Sequence, residues 1–422
     1  MSRLFRTWPI AALCVMQVLT ASPADAASGD LDPSFGSGGI RFTDVTGGID
    51  GAFAQAIQPD GRIVTVGGAS LEAIDARFVV ARWEANGFED DSFGYEGQVT
   101  RNLTRRWDAA WGVTVQSNGK IVVAGDAGFG AGNSKFGIVR FNPDGTRDRD
   151  YGSVITDFTR NDDSVAAAAI EPDDDLVVVG AINASGRDPR IAVARYRSDG
   201  TLDPGFGAGG LARANPSRHM DWANAVAIQP DGRIVVAGLA SRRTVRIAVL
   251  RFLPDGSPDP SFGGDGVTLT RVGDGASAQA IAVLPDGKIL VAGGYSRGRR
   301  TGFAVMRYLE DGRLDPTFGG DGIVTTTFPD ADAHGWGLAV QPDGKAVVVG
   351  TVLRDGRRNR VTGLVRYRTD GTRDTSFGDL GRVLLNFHQG DQYLRGIGID
   401  ATGNIVISGQ ANGYLVVARV LA

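Results

Sequence analysis

An aromatic–glycine pair recurs seven times along these 422 residues, beginning at Phe35, Phe93, Tyr151, Phe206, Phe262, Phe318 and Phe377. A Pro-Asp-Gly turn, intact or degraded, also recurs seven times, beginning at Pro59, Ser117, Pro172, Pro230, Pro285, Pro342 and Ala401. The two series keep step with a period of about 55 to 59 residues, in the range of one propeller blade. A repeat of this kind dictates one supersecondary unit used again and again, because no single copy can bury its own apolar faces.

One unit reads as four antiparallel strands, A to D. Ala225 to Ile228 leads into Gln229-Pro230-Asp231-Gly232, where Pro presets φ and Gly accepts a positive φ, the chemistry of a hairpin connection. Ile234 to Gly238 is continuously apolar, as expected of a strand covered on both faces. A third strand, Ile247 to Phe252, a second turn at Pro254-Asp255-Gly256 and a Thr-rich fourth strand near Val267 to Thr270 complete the unit. The 61 glycines suit many short strands and tight turns. The expected fold is all-β, a seven-bladed β-propeller of four-stranded antiparallel blades. After Leu31-Asp32-Pro33-Ser34-Phe35-Gly36, the stretch near Ile40 to Thr43 reads as an outer D strand without a unit, and Tyr414 to Val420 as a C strand lacking its D strand. Pairing the two would close the ring and remove the edges that an open array exposes.

The units resemble the delta-60 repeat, a bacterial family with L-D-x-x-F-G, Q-P-D-G-K/R-I-V-V-A-G and V-x-R-Y/F-x-x-D-G. These stretches stand here as Leu314 to Gly319, Gln229 to Gly238 and Val365 to Gly371. They are also similar to the NHL-type propeller repeat. The resemblance implies the fold and transfers no activity.

Residues 1–26 read as an export signal: Arg3 and Arg6, an apolar run from Trp8 to Leu19, then Ala24-Asp25-Ala26 as a cleavage site. The remaining 27–422 are expected to form a single propeller, periplasmic or extracellular, acting as a monomer. The sole cysteine, Cys14, lies in the apolar run, so the cleaved chain would hold no disulfide and no thiolate metal site. With 44 basic and 48 acidic residues, net charge offers no case for nucleic acid.

Arg occupies one strand-C position in every unit: Arg82, Arg140, Arg195, Arg251, Arg307, Arg366 and Arg419. A charge in a buried strand needs a partner, and Asp60, Asp231, Asp255 and Asp315 are the candidates. The D-G-x-x-D spacing of Asp199/Asp203, Asp255/Asp259, Asp311/Asp315 and Asp370/Asp374 faintly resembles a calcium loop, but turn formation explains it more simply. No cofactor or metal is expected.

Function is sought where the units differ. The B–C loops of blades three to six hold Arg187, Arg190, Arg242, Arg243, Arg246, Arg297, Arg299, Arg300, Arg354, Arg357, Arg358 and Arg360. Guanidinium forks suit carboxylate, phosphate and sulfate, so an anionic envelope polymer, such as an acidic polysaccharide, is the expected partner. Solvated loops without a ligand are the competing reading. At the mouth of the axis, equivalent positions carry Phe53, Trp111, Ala166, Asn224, Gln279, Trp336 and Arg395, with Trp222, His334 and Tyr393 two residues earlier and Asp50, Asp108, Asp163 and Asp221 nearby. Such residues could form a sugar or peptide pocket. The alternative function is a hydrolase or lyase acting on glycans or peptides at the loop face, which requires His334 or an Asp of that series to meet a second ionisable group in one cleft. His219, His334 and His388 have no metal-ligand spacing. Gly294-Tyr295-Ser296-Arg297-Gly298 matches an esterase elbow in letters, but no helix follows it.

Overall fold

Seven four-stranded antiparallel sheets stand around one axis in the computed structural model, which describes residues 26–70, 76–104, 106–130, 133–354, 359–387 and 390–422. Blade four shows the common plan: Met220–Ile228, Ile234–Ser241, Val245–Phe252 and Val267–Thr270, from the axis outward. The export-signal residues 1–25, Arg357, Arg358 and His388 lie outside the described residues. The ring closes as expected. The outer strand Ile40–Thr43 pairs antiparallel with Tyr414–Val420, so blade seven is built from both ends of the described chain.

The core consists of seven layers, one between each pair of neighbouring blades. In the layer between blades three and four, Val177, Val179 and Val193 meet Ile234, Val236 and Leu250, with Phe206 fully buried among them. Strand B is apolar on both sides because each side faces such a layer. Threonines of strand D also tie blades together: Tyr196, Tyr308 and Tyr367 donate to Thr156, Thr270 and Thr326 of the preceding blade at 2.7–2.9 Å.

The strand-C arginines are structural clamps on the face carrying the A–B and C–D turns. Each Nε donates at 2.6–2.9 Å to an aspartate eight residues on: Asp90, Asp148, Asp203, Asp259, Asp315 and Asp374, with Asp32 serving Arg419 across the closure. Each guanidinium lies over the recurring aromatic, 4.2–4.9 Å from the ring centre. A second nitrogen reaches the next blade, as from Arg82 to the Pro143 carbonyl and from Arg140 to that of Ser198. Of the partners expected from sequence, Asp315 belongs to this series. Asp60 and Asp231 pair instead with Arg62 and Arg233 of their own turns, and Asp255 accepts from Ser257. The first aspartate of a D-G-x-x-D pair caps its own turn, as Asp199 does with Thr201, and the second is held by the strand-C Arg. Those carboxylates are engaged in turn capping and ion pairing.

Every strand A carries a β-bulge at one place, where the register skips Phe53, Trp111, Ala166, Asn224, Gln279, Trp336 or Arg395. A bulge re-aims the side chain of the extra residue. It also pushes a strand-A carbonyl toward strand B. A Cβ on Gly67, Gly125, Gly180, Gly238, Gly293, Gly350 or Gly409 would lie 1.8–2.2 Å from that oxygen, and this close approach explains the last glycine of each strand-B signature.

Candidate functional site

The seven bulge residues ring a cavity of about 260 Å3 on the axis. Its walls are these residues and, in every blade but the second, the next one or two along strand A, toward the A–B turns. The ring therefore sits inside the channel, at mid-strand, and not at its mouth as the sequence suggested. Its two halves differ. Ala166, Asn224 and Gln279, from blades three to five, are small or polar. Trp336, Arg395, Phe53 and Trp111, from blades six, seven, one and two, form a continuous stack. Trp111 lies 4.4 Å from Phe53 at an interplanar angle of 17°, and the Arg395 guanidinium lies 4.4 Å from Trp336 and 5.8 Å from Phe53.

Strand B anchors both ends of the stack. The Trp336 indole donates to Thr351 Oγ1 at 3.2 Å, and the Trp111 indole to Asp126 Oδ2 at 3.1 Å. Both partners follow the bulge-facing glycine of their blade, fifteen residues after the tryptophan. Asp126 was not anticipated from sequence, although its place among Gly68, Ala181, Leu239 and Gly294 at equivalent positions marks it out. It also accepts from the Val165 N–H at 2.7 Å and from Ser164 Oγ at 3.1 Å, which links blades two and three. Burial pushes its carboxyl up to about 7 against those hydrogen bonds.

Stability is expected to fall as pH rises from about 4 to 7. The unfolded chain releases the Asp126 proton near 4 and the folded chain keeps it to about 7, so unfolding releases a proton in that window. At about 1.4 kcal/mol per unit, the loss amounts to about 4 kcal/mol at most. Thermal unfolding of wild type and Asp126→Asn between pH 4 and 8 checks this: the wild type should decline more steeply, and parallel profiles would exclude Asp126 as the source.

The other sequence candidates disperse. His334 lies in strand A, Ala331–Val340, with its ring 4.3 Å from Trp336. Its Nε2 is buried without a hydrogen-bond partner, and burial, aided by the Arg395 charge, pushes it down to about 4. Gly294, from the Gly-Tyr-Ser-Arg-Gly match, packs on that imidazole, where a Cβ would meet Nδ1 at 2.0 Å. The match itself runs through strand Ile289–Arg297, and Ser296 bonds the Gly275 carbonyl, so no elbow forms. Trp222 does not line the cavity, and Tyr393 accepts from Arg360 at 2.9 Å. Asp50, Asp108 and Asp163 each accept two backbone N–H bonds and a Thr hydroxyl of their own D–A loop at 2.6–3.1 Å, and Asp221 accepts the Ser217 N–H. None of these four pairs with His334, so the acid–base couple required for the enzyme reading is not assembled from them. His219 is exposed on a separate loop.

On the face opposite the structural clamps, Arg187, Arg242, Arg243 and Arg299 are exposed in the B–C loops, and Arg190, Arg246, Arg297, Arg300 and Arg354 are exposed not in the loops but in the strand ends beside them, because strands B and C pair further out than the sequence suggested. Arg190 pairs with Asp188 at 2.9 Å. The other eight have no ion-pair partner among the described residues. Arg360, half-buried, is tied to Asp391 at 3.4 Å. Asp188, Asp274 and Asp332 share this face, but each is already engaged by a loop group.

Six stretches match one family model, a domain of unknown function (DUF5122) beta-propeller: residues 58–93, 116–150, 171–206, 229–262, 284–318 and 341–377, together half of the chain. The chain belongs to this family. Each matched stretch runs from an A–B turn through strands B and C to the aromatic–glycine pair. In this DUF5122 propeller the seventh copy is divided between the region after Asp400 and the segment before Phe35, on either side of the closure. No curated protein matches the chain. Among solved structures, Drosophila Semaphorin 2a is similar at 10% identity over 94% of this chain and 76% of its own, with a TM-score of 0.52. A streptogramin B lyase is similar at 12% identity over 91% of this chain and 97% of its own, with a TM-score of 0.48. At such identities the likeness of this DUF5122 chain concerns the fold alone.

Proposed function

We propose that the chain is a binding propeller of the cell envelope or extracellular space, and that its B–C loop face holds an anionic polymer. The export pattern of residues 1–26 supports the location, and the L-D-x-x-F-G and Q-P-D-G-R signatures support a delta-60 type of repeat. One contrast carries the binding role. The strand-C arginines are all locked in ion pairs, whereas eight exposed guanidiniums of blades three to six face solvent without a carboxylate among the described residues. A row of free forks on one face fits repeated carboxylates or sulfates along a chain.

Binding to polygalacturonate and to a neutral glucan, measured over a salt series, tests this. The anionic polymer should bind more tightly by about tenfold or more at low salt, and the preference should fade near 0.5 M as the charges are screened. Arg242→Gln/Arg243→Gln/Arg246→Gln should weaken it further. Equal, salt-insensitive binding to both polymers would overturn the reading.

A further inference from the structure

Arg395 is a charge inside the molecule that its own structure does not neutralise. Its Nε is buried without a hydrogen-bond partner, and no carboxylate pairs with it among the described residues. The neighbouring ionisable groups are His334, which burial keeps neutral, and the Tyr393 phenol. The guanidinium lies 4.4 Å from the Trp336 ring centre and 5.8 Å from that of Phe53, and none of its N–H groups has a hydrogen-bond partner among the described residues. Burying an unpaired cation is costly, and proteins do so where something else completes the site. The equivalent positions of the other six blades carry no charge, so Arg395 is not part of the repeat's construction.

We propose that the axial cavity binds a small organic carboxylate with a flat, unsaturated body. Arg395 grips the carboxylate with its planar fork, the arrangement that matches two oxygens at once. Phe53 and Trp111 line the cavity as an aromatic wall against which a flat body packs. The size is consistent: about 260 Å3 is room for roughly eight or nine waters at liquid density, enough for one ring and its carboxylate. Gln55, on the cavity wall, donates to the Val406 carbonyl at 3.0 Å, and its Oε1 is buried without a partner. This site is separate from the B–C loop face and does not depend on it.

Titration calorimetry with benzoate, benzamide, acetate and inorganic phosphate tests the assignment. Benzoate should bind once per chain, and benzamide about tenfold or more weaker, since an ionic hydrogen bond is lost. Arg395→Met, which keeps the stem on Trp336, should lose benzoate binding by a similar factor while unfolding at the wild-type temperature or above. Arg395→Lys should bind between the two, because the charge remains and the fork does not. Arg242→Gln/Arg243→Gln should bind benzoate as the wild type does, which keeps this test apart from that of the loop face. No heat with millimolar benzoate, equal binding of benzoate and benzamide, or an unchanged Arg395→Met would overturn the proposal. Tighter binding of phosphate or acetate than of benzoate would overturn the assigned ligand class.

Discussion

A chain lacking residues 27–43 is expected to lose its cooperative unfolding transition at 37 °C. The segment does more than supply a fourth strand. Residues Ile40 to Thr43 pair with Ala418 to Leu415, and Gly29, Asp32 and Leu421 add backbone bonds of 2.9 Å across the seam. Phe35 is fully buried between blades seven and one, and Leu31, Ile40 and Phe42 pack between blades six and seven. Losing Phe35 alone should cost about 3–5 kcal/mol by comparison with other buried aromatics. Losing Asp32 leaves Arg419 over an empty ring site with Asp400, at 3.5 Å, as its remaining carboxylate, at up to about 3 kcal/mol more. Those two terms already reach the lower part of the roughly 5–15 kcal/mol by which native proteins are stable. Urea denaturation followed by circular dichroism, with Phe35→Ala and Asp32→Ala as intermediates, checks the sum. A truncated chain whose midpoint matches the wild type would show that closure contributes nothing.

The architecture was legible because a radial repeat writes itself into the sequence seven times. The period, the Pro-Asp-Gly turns and the mismatched ends each pointed to a closed ring, and the strands Ile40–Thr43 and Tyr414–Val420 are found at the expected residues. Side-chain partners were harder to read. A strand-C arginine has several aspartates within reach in sequence, and only the path of the C–D loop selects the one eight residues on over the one in the A–B turn. The axial ring was visible as a column of equivalent positions, but its depth was not, because a β-bulge has no composition of its own. Its one trace is the strand-B glycine, which reads as turn chemistry until the facing carbonyl is seen. The loop arginines were plain from sequence, whereas the lack of ion-pair partners for eight of them among the described residues required the positions of Asp188, Asp274 and Asp332. The anchors Asp126 and Thr351 are unusual residues at one repeat position, a signal that stays silent until the tryptophan opposite is placed.

Asp259→Ala is expected to destabilise the propeller by about 3–5 kcal/mol, the cost of leaving a buried charge without its partner. Arg251 and Asp259 are 6% and 3% exposed, and their 2.7 Å bond is reinforced by Ser261, which binds both. Arg233 reaches the same carboxylate at 3.1 Å from the A–B turn but is 37% exposed, so Arg233→Ala should cost less than about 1 kcal/mol. The contrast distinguishes burial from simple proximity of charge. Arg251→Met removes the other partner, and the double variant should be less destabilised than the two single losses combined, with a coupling of about 2–3 kcal/mol. The pair also sets an acid limit. Burial pushes the Asp259 carboxyl up, but bonds from Ser261 and the Arg251 charge outweigh it and hold the group below its usual range. A depressed folded value means that the stabilisation is present above about pH 4 and is lost as pH falls through that lower value. The same direction holds for Asp32, Asp90, Asp148, Asp203, Asp315 and Asp374, with Asp148 pulled to about 2 by Lys120 and Arg140. Seven clamps releasing together should give a steep acid transition between about pH 4 and 2, shallower by one clamp in Asp259→Ala. Denaturation curves at pH 2 to 5 measure it, and a wild-type profile flat across that range would refute the clamps as the fold's main electrostatic support.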